Sequence, residues 1–385
     1  MKTPLREVHR AQGARFTEYQ GWELPDQFTD PMEEYQAVRY SVGLMDVSYR
    51  TTFSVGGPDR ADFLHRVLSN DVKRLRPGAG RHAALLTAQG KLISVMKVLA
   101  TEDTILLEME PAARAAVCDT LEMYKLAQKV ELNDVTEVVA KLLVQGPKAA
   151  EFLRAVVNQE LALEADLQHH EYQIAEWGNG GMGARISHSP TLPLSHSPTL
   201  PVRVVRVHET GEVGYELIAP ATQAASLWIQ LTQAGTAFGL KPVGLRAFNT
   251  LRVEAGLPWY GVDMDDTNFP QEAQMDHLLD WDKGCYVGQE PVARIKYRGH
   301  VNKRLAGLKF SQGVQPQPGN RITKDDRDVG RVTSAVFSPH LNGPIALGYV
   351  RREFLEPGME ITVETTAGPV AARVAELPFY RSSAS

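Results

Sequence analysis

The C-terminal part of the chain most constrains the fold, because its pattern is that of short strands alone. From about residue 305 onward, six strand-like runs are separated by Gly, Pro and Asn: LAGLKF, NRITK, DVGRVTSAVF, IALGYV, MEITVET and PVAARVAEL. Regular short strands with this punctuation are typical of a closed or sandwiched all-β domain. We therefore predict that the chain ends in an all-β domain, joined to the preceding part near the basic stretch 298–304.

The rest of the chain alternates helical and strand patterns. KLISVMKVLA (91–100) and TILLEME (104–110) are separated by only three residues, TED, which predicts a β-hairpin. Apolar residues at helical spacing predict helices in four segments: 56–71, 112–126, 222–235 and 243–256. A chain of 385 residues, 43% of them hydrophobic, is long enough for two or three domains.

Composition argues against several classes of protein. The net charge of -5 disfavours a DNA-binding protein held by overall charge, although a local basic patch stays open. Two cysteines, Cys118 and Cys285, are too few for a disulfide framework, which favours a reducing, cytoplasmic compartment. Cys118 lies beside the apolar face of its predicted helix and is expected to be a core thiol. The start of the chain has no signal-peptide-like apolar run, and no stretch of about 18 apolar residues occurs, so no membrane partner is expected.

Two segments resemble parts of metal sites, but neither is predicted to bind a metal. Residues 187–201 repeat the heptad SHSPTLP and contain His188 and His196, yet their prolines and polar composition predict a surface loop. Residues 261–270 carry aspartates, Asp263 first, spaced as at the start of a calcium loop. The glycine and the distal glutamate of such a loop are missing.

Residues 283–290 read KGCYVGQE and contain the second cysteine, Cys285. Its thiol is consistent with a nucleophile, a metal ligand or a packing residue. Lys283 and the cations that follow the motif would favour the thiolate, which is the reactive form. Gly284 and Gly288 permit a tight turn that presents the thiol. The motif closes with two polar residues, Gln289 and Glu290.

The segment that follows, PVARIKYRGHVNKR (291–304), is basic at alternate positions. Arg294, Lys296, Arg298 and His300 recur every second residue, which in a strand would form one basic face. Such a face is consistent with a solvated edge strand. It is equally consistent with a site for a polyanion, either a polycarboxylate tail or an RNA backbone.

Two charged residues fall within predicted elements. Arg252 lies in the apolar arc of the 243–256 helix, where an unpaired charge would be costly. It is therefore predicted to form a structural ion pair or to reach an anionic ligand or site carboxylate. Glu216 follows Tyr215 in a strand after the turn TGEVG, and the residues alone predict a solvated glutamate there.

A collinear series of motifs resembles the superfamily of the glycine-cleavage T protein, the tetrahydrofolate-dependent aminomethyltransferase. The series covers nearly the whole chain: GARFTEYQGWELP, EYQAVRYSVGLMDVSYRTTFSVGGPDRADFLHRVLSNDV, LLVQGPKA, TGEVGYEL, LRVEAGLPWYG, DMDDTNFP, VGRVTSAVFSP and IALGYV. KGCYVGQE with VARIKYRGHVNKR, and also LRVEAGLP, resemble the YgfZ-type branch of this superfamily instead. That branch consists of folate-binding proteins linked to iron–sulfur enzyme maintenance and tRNA modification.

The resemblance implies an α+β fold, GcvT/YgfZ-like, of three domains around a central opening. The first two domains would be interleaved in sequence, and the third would be a C-terminal β-barrel. The implied division is residues 1–52 with 141–245 for a folate-binding domain 1, 53–140 with 246–290 for domain 2, and 300–385 for the barrel.

The chain departs from the aminomethyltransferase pattern at several positions. Ser94 and Val95 stand where that family has adjacent aspartates, one of them regarded as catalytic, and neither can act as an anionic base. Phe248 stands at the position where that family has the arginine that engages folate. The family's C-terminal tyrosine is unmatched, with Tyr380 nearby but offset, whereas Glu216 matches the folate-site glutamate.

These matches and departures lead to one leading hypothesis and two alternatives. The resemblance implies that Glu216, beside Tyr215, recognises the pterin of tetrahydrofolate or of a one-carbon derivative, with Arg246 or Arg252 replacing the missing arginine. The leading hypothesis is a YgfZ-type protein that supports iron–sulfur enzyme assembly or repair and tRNA modification, with Cys285 as the functional thiol. Its partners would be iron–sulfur or tRNA-modification enzymes. The alternatives are a tetrahydrofolate-dependent aminomethyltransferase and an RNA-binding accessory protein that uses the basic strand 294–300.

Overall fold

The computed structural model describes residues 1–157, 171–177, 202–311 and 314–382. The SHSPTLP repeat, predicted to be a surface loop, lies outside the described residues. The helices are α1 (Arg6–Ala11), α2 (Pro31–Tyr40), α3 (Arg60–Val67), α4 (Arg114–Tyr124), α5 (Ala149–Val157), α6 (Ala224–Gly235), α7 (Leu245–Glu254) and α8 (Gln289–Arg298). No helix among these residues is long and apolar enough to cross a membrane.

Besides five short 3-10 helices, the described residues also form nineteen strands. They are β1 (Arg15–Tyr19), β2 (Trp22–Gln27), β3 (Val42–Asp46), β4 (Thr51–Gly56), β5 (Ala79–Leu86), β6 (Leu92–Ala100), β7 (Ile105–Met109), β8 (Glu131–Asp134), β9 (Val139–Gln145), β10 (Glu171–Trp177), β11 (Val202–Val207), β12 (Gly214–Pro220), β13 (Leu240–Pro242), β14 (Lys303–Phe310), β15 (Arg321–Lys324), β16 (Arg327–Ser338), β17 (Gly343–Arg351), β18 (Glu360–Thr365) and β19 (Gly368–Ala375). The predicted hairpin is confirmed as β6–β7, and α3, α4, α6 and α7 confirm the four predicted helices.

An eleven-stranded sheet dominates the part before the barrel. Its order is β13-β3-β9-β12-β11-β10-β5-β6-β7-β4-β8, and β10 pairs with both β11 and β5, so that it joins two halves. The central strands β6, β7, β9 and β12 are almost wholly buried, which is why their sequences are nearly continuous apolar runs. A charged residue in these strands is therefore removed from water.

Separate apolar clusters cover the two halves of the sheet. One half packs on α3, α4 and the segment from Tyr260 to Val292, and the other packs on α5 and α6 around Trp228. A third cluster, which includes Leu143, Phe248 and Trp259, contains residues of both halves and of α7. Phe248 is thus a core residue here, in contrast to the arginine that the family resemblance would place at this position.

The chain ends in a closed barrel of order β14-β17-β16-β15-β18-β19. This confirms both the all-β ending predicted from the strand pattern and the α+β fold class with a C-terminal β-barrel. Val253 of α7 packs with barrel residues such as Leu305 and Leu347, so the barrel is anchored on that helix. The exact domain boundaries implied by the resemblance stay predictions.

The basic segment after KGCYVGQE is a helix, and the predicted strand is wrong. Helix α8 begins after Gly288, whose φ of 77° is left-handed, and has Glu290 and Pro291 in its first turn. Proline suits this position because its fixed φ is helical and its missing N–H has no partner there anyway. Basic residues in the last turn favour the helix dipole. The continuous basic face expected of a strand is therefore absent.

Candidate functional site

A cavity of about 680 Å³ lies where the sheet, the segment after α7 and the C-terminal tail meet. This volume is within the range of about 300–1,000 Å³ that is usual for small-molecule sites. Its polar lining is Arg50, His82, Lys97, Glu108, Glu110, His208, Glu209, His277, Tyr380, Arg381 and Ser382. Its apolar lining includes Val95, Met96, Met109, Met264, Met275, Trp259 and Tyr260.

The β6–β7 hairpin places a lysine opposite a glutamate at the cavity wall. Lys97 and Glu108 are register partners, so their side chains project from the same face of the sheet. The Lys97 ammonium lies 2.5 Å from Glu108 and 3.3 Å from Glu209, and it also contacts Glu216 of β12. Lys97 is only 5% exposed, so one buried cation holds three carboxylates together.

Arg50, just before β4, forms the second cation of this cluster. It lies 2.6 Å from Glu209, 3.4 Å from Glu110 and 3.6 Å from Glu108. The Tyr19 hydroxyl donates to Glu110 at 3.0 Å, and this further fixes that carboxylate. A guanidinium in this position orders the carboxylates at the cavity wall, because it can bond several of them at once.

The cluster contains four carboxylates and three cations, because Lys141 lies 3.7 Å from Glu108 on its far side. Burial raises the pKa of Glu216 to about 8, and the neighbouring Glu108 adds to this effect. Burial also favours a raised pKa at Glu209, but Arg50 and Lys97 outweigh it and hold that pKa at about 2. Near neutral pH the arrangement therefore has an anionic Glu209 at the cavity and a protonated carboxyl behind it.

The positions that carry aspartates in the resembling family contribute no charge here. Ser94 is fully buried, and its hydroxyl donates to the Val95 carbonyl at 3.2 Å. Val95 lines the cavity beside Met96. Together with Trp259 and the methionines, this wall suits a flat aromatic ligand, since these side chains offer large apolar and polarisable contact.

The C-terminal tail closes one side of the cavity through Tyr380. The Tyr380 hydroxyl donates to Glu212 at 2.5 Å, and the ring lies 3.7 Å from the guanidinium carbon of Arg39. Arg39 in turn pairs with Glu254 of α7 at 2.7 Å. The residue that looked offset from the family's tyrosine is thus held at the cavity.

The sequence-predicted cofactor residues are only partly brought together. Glu216 belongs to the cluster but is fully buried and paired with Lys97, so the solvated strand glutamate predicted from the residues is wrong. Tyr215 is the preceding residue of the same strand, so its side chain lies on the other face of the sheet. It packs in the core around Trp228, away from the cavity lining.

The two arginines proposed to replace the family arginine are engaged elsewhere. Arg252 is 1% exposed, pairs with Asp263 and donates to Ser334 of β16 at 2.6 Å. It is therefore a structural ion pair that ties α7 to the barrel, which is one of the two roles predicted for it. Arg246 is exposed and pairs with Asp26 at 2.6 Å, so neither arginine lines the cavity.

The KGCYVGQE segment lies outside this cavity. Cys285 is exposed, and Gly284 beside it faces open space. Gly288 is required where it stands, since a Cβ there would meet the Thr87 carbonyl. Gln289 and Glu290 form the first turn of α8 and, like the rest of the motif, are not among the lining residues.

Lys283 does not activate the thiol or bind a polyanion, because its ammonium points inward. It is 4% exposed and donates to the carbonyls of His65, Leu68 and Asn70 at the end of α3. Since an ammonium has three N–H donors, all of them are used. Lys283 is therefore a tether for the loop that carries Cys285.

The remaining cations of the predicted polyanion face do not share one face, because helix α8 directs their side chains to different sides. Successive helical residues turn by about 100°, so Arg294 and Arg298 share a face of α8 and Lys296 projects from another. Lys296 lies 4.0 Å above the Trp281 ring. His300 follows the helix and is exposed.

Sequence reasoning missed Lys97, Arg50 and the carboxylates at 108, 110 and 209. A signal was available, because Lys97 interrupts an apolar strand and faces Glu108 across a three-residue turn. Pairing the two predicted strands in register would have brought these charges together.

Fold and site together define an α+β protein in which a sheet, the segment after α7 and the tail that follows the C-terminal barrel line a carboxylate-rich cavity of ligand size. The family model described as GCVT N-terminal domain matches residues 5–189 and 195–283, and the Glycine cleavage T-protein C-terminal barrel domain matches residues 303–381. The chain belongs to the glycine-cleavage T-protein (GCVT) family.

Its relatives are similar over nearly their whole length. An aminomethyltransferase of Desulforamulus reducens is 32% identical, over 99% of this chain and 98% of its own. An aminomethyltransferase of Symbiobacterium thermophilum is 34% identical, over 99% and 97%. The crystal structure of the glycine cleavage system aminomethyltransferase T from Bartonella henselae superimposes with a TM-score of 0.84 at 25% identity, over 99% and 98%. These relatives bear the aminomethyltransferase name, and none of them supports the YgfZ-type assignment.

Proposed function

We propose that this protein is a tetrahydrofolate-dependent one-carbon transferase of the aminomethyltransferase type, acting in the central cavity. The observation that supports this most is the full-length similarity to aminomethyltransferases, combined with a cavity that is rich in carboxylates. This reverses the order of the hypotheses drawn from the sequence, where the YgfZ-type function came first. Tetrahydrofolate stays the proposed cofactor under either reading, and membership of this family supports it.

The chemistry of the lining fits a folate. Tetrahydrofolate would supply the nitrogen atoms that accept a one-carbon unit. Glu110 and Glu209 are 11% and 17% exposed at their side chains and can accept hydrogen bonds from the amino and ring N–H groups of a pterin. Glu216, which the resemblance assigned to this role, acts behind them by pairing with Lys97.

The charge that the missing aspartates would provide comes from Glu209, in the turn that follows β11. Val95 gives no anion, whereas Glu209 holds a full negative charge because Arg50 and Lys97 keep its pKa near 2. An anion in a partly buried cavity stabilises a developing cation, such as an iminium, more strongly than it would in water. In this proposal Glu209 replaces the family's catalytic carboxylate in function and not in position.

Binding and turnover test the proposal separately. Tetrahydrofolate titrated into the protein should bind, and Glu209→Gln should weaken binding about tenfold or more, as expected for a lost charge-assisted hydrogen bond. Glu18→Gln, at an exposed residue of β1 outside the cavity lining, is the matched control and should bind as the wild type does. Turnover of an aminomethylated lipoyl carrier with tetrahydrofolate should appear in the wild type and fall in Glu209→Gln.

A second candidate is the YgfZ-type role in iron–sulfur enzyme maintenance or tRNA modification. The observation that favours it is the exposed thiol of Cys285 on a loop tethered by Lys283, together with the loss of both family aspartates. Tight tetrahydrofolate binding without any carrier-dependent turnover would favour this candidate. Cys285→Ala should then abolish cellular rescue of iron–sulfur enzyme activity without changing folate affinity.

The RNA-binding alternative was based on a strand with one basic face. Residues 294–298 instead lie on a helix that separates their charges, so this basis is lost. Retention of tRNA that disappears with salt and with Arg294→Ala plus Lys296→Ala would restore it.

A further inference from the structure

Two segments that line the central cavity are held by one buried side chain that lies outside the lining. The first segment is the turn 208–212 between β11 and β12, which carries Glu209, and the second is the C-terminal tail with Tyr380. Arg39, in the last turn of α2, contacts both segments. It is buried and is not among the lining residues. Its contacts therefore act on the shape of the cavity and not on a ligand directly.

Arg39 fixes the backbone of the turn next to Glu209. Its guanidinium donates to the Thr210 carbonyl at 2.8 Å and lies 3.3 Å from the Glu212 carboxylate. The two cations at the cavity wall hold the carboxylate end of Glu209. The backbone from which that carboxylate projects is thus fixed separately, by the bond from Arg39 to the adjacent residue.

The same guanidinium holds the tail. Its central carbon lies 3.7 Å from the centre of the Tyr380 ring, and the Tyr380 hydroxyl donates to Glu212 at 2.5 Å. Turn and tail also lie against each other, since a Cβ on Gly211 would meet the Tyr380 ring at 3.3 Å. Arg39 and Glu212 therefore join the two lining segments to each other.

Arg39 is itself anchored between α2 and α7. The Tyr35 hydroxyl, one helical turn before it, accepts from Arg39 at 3.3 Å and donates to Glu254 of α7 at 2.8 Å. Arg39 also pairs with Glu254 at 2.7 Å, and both Glu212 and Glu254 are buried. A planar guanidinium can bond partners in several directions at once, which the compact ammonium of a lysine does less well.

We propose that Arg39 is a positioning residue for the proposed reaction: it joins the turn 208–212 to the tail, so that Glu209 and Tyr380 keep one geometry toward a bound folate. The inference rests on the proposed function, because Glu209 is the group that would touch the ligand there. It adds a residue outside the cavity that determines how tightly the cavity binds.

Arg39→Lys tests this role while keeping the charge. Arg39→Met would leave two buried carboxylates without their cation and so endangers folding. Arg39→Lys retains the cation but loses the fork, so both lining segments should loosen. Amide hydrogen exchange of the full chain without ligand should become roughly tenfold faster in 208–212 and in 379–382, as expected when a charge-assisted hydrogen bond is lost.

His9→Gln is the matched control. His9 is also fully buried and pairs with Asp46 at 3.0 Å, and neither residue lines the cavity. This variant should leave the exchange in both lining segments, and the affinity for tetrahydrofolate, as in the wild type.

The affinity for tetrahydrofolate shows whether Arg39 acts through Glu209. Arg39→Lys and Glu209→Gln should each weaken binding about tenfold. The double variant should be weaker by only about 10- to 20-fold, because the group that Arg39 positions has already lost its charge. A general loosening of the fold would instead give independent losses that multiply to about 100-fold. Binding is measured at a temperature where circular dichroism shows every variant to be folded.

The outcomes separate this inference from the proposed function. Faster exchange in both lining segments of Arg39→Lys, together with losses of affinity that do not multiply, supports the positioning role. Unchanged exchange in either segment, or losses that multiply, overturns that role and leaves the proposed function intact. Failure of the wild type to bind tetrahydrofolate overturns the proposed function and the positioning role with it.

Discussion

Two of the buried lysines in this protein have surroundings of opposite kind. Lys97 and Lys283 are 5% and 4% exposed. The ammonium of Lys97 contacts three carboxylates: Glu108, Glu209 and Glu216. The ammonium of Lys283 donates to three backbone carbonyls: His65, Leu68 and Asn70. Burial is the same in both places, so the difference lies in whether the neighbours carry full charges or only dipoles.

The two environments move the pKa in opposite directions. Burial acts to lower the pKa of Lys97, but its three carboxylates outweigh burial and raise that pKa well above 10.5. At Lys283 burial dominates and lowers the pKa to about 8, and Asp71 and Asp280 only partly oppose it. A lysine held by carboxylates therefore marks an electrostatic site, whereas a lysine held by carbonyls marks a structural tether.

Removing the Lys97 charge should have the largest effect. Lys97→Met leaves three carboxylates together in a buried site, which should lower the free energy of unfolding by about 3–5 kcal/mol. Denaturant unfolding followed by circular dichroism measures this. Adding Glu209→Gln to Lys97→Met removes one of the repelling charges, because Glu209 is ionised near neutral pH, and should recover part of the loss. A loss below about 1 kcal/mol would show that the carboxylates are already protonated and that the cluster is not ionic.

Removing the Lys283 charge should cost less. Lys283→Met leaves three carbonyl oxygens without their donor, but no charge is left unpaired, so a loss of about 1–3 kcal/mol is expected. The loop that carries Cys285 should also loosen, and its amide hydrogens should exchange faster than in the wild type. A loss as large as that of Lys97→Met would remove the distinction between the two sites.

The pH dependence of unfolding sharpens the comparison further. Between pH 8 and 10.5 the unfolded chain keeps the Lys283 proton while the folded protein releases it, so this group adds stability as the pH rises. The deficit of Lys283→Met should therefore widen by on the order of 1 kcal/mol from pH 8 to pH 10, below the limit of about 1.4 kcal/mol per pH unit for one proton.

Lys97 should behave differently in the same window. Its raised pKa means that its contribution is fully present below pH 10.5 and is lost only above that. In a Glu216→Gln background, which removes a neighbouring carboxyl whose pKa is about 8, the deficit of Lys97→Met should therefore stay constant from pH 8 to pH 10. If the stability deficits of Lys97→Met and Lys283→Met changed with pH in the same way, the contrast between a lysine held by carboxylates and a lysine held by carbonyls would be wrong.

The sequence predicted elements better than it predicted the environment of charged residues. The β6–β7 hairpin and α7 follow from local periodicity and from the residues that end them, such as Gly256 with its φ of 68°. Whether Glu216 is solvated depends instead on which strands flank β12, and that is decided by residues far away in the chain. Periodicity alone cannot show that both faces of such a strand are covered.

The wrong strand at 291–304 has a local cause. Arg294 and Arg298 are four residues apart, so the same charges that alternate with period two also fit one face of a helix. Pro291 in the first turn and basic residues in the last turn were helix signals that outweighed the alternation. The family resemblance, by contrast, gave the barrel and the cofactor, because those depend on the whole series of motifs.

The smallest effect is expected at the thiol itself. Cys285 is exposed, so Cys285→Ser should change the free energy of unfolding by no more than about 0.5 kcal/mol, which is usual for surface substitutions. In the native protein a thiol reagent should modify Cys285 first. Cys118 is half-buried, and burial raises the pKa of its thiol, so it should react more slowly. Because Lys283 holds the loop from within, Lys283→Met should alter the rate at Cys285 while the rate at Cys118 stays the same. An unchanged rate at Cys285 would mean that the tether stabilises the end of α3 and does not position the thiol.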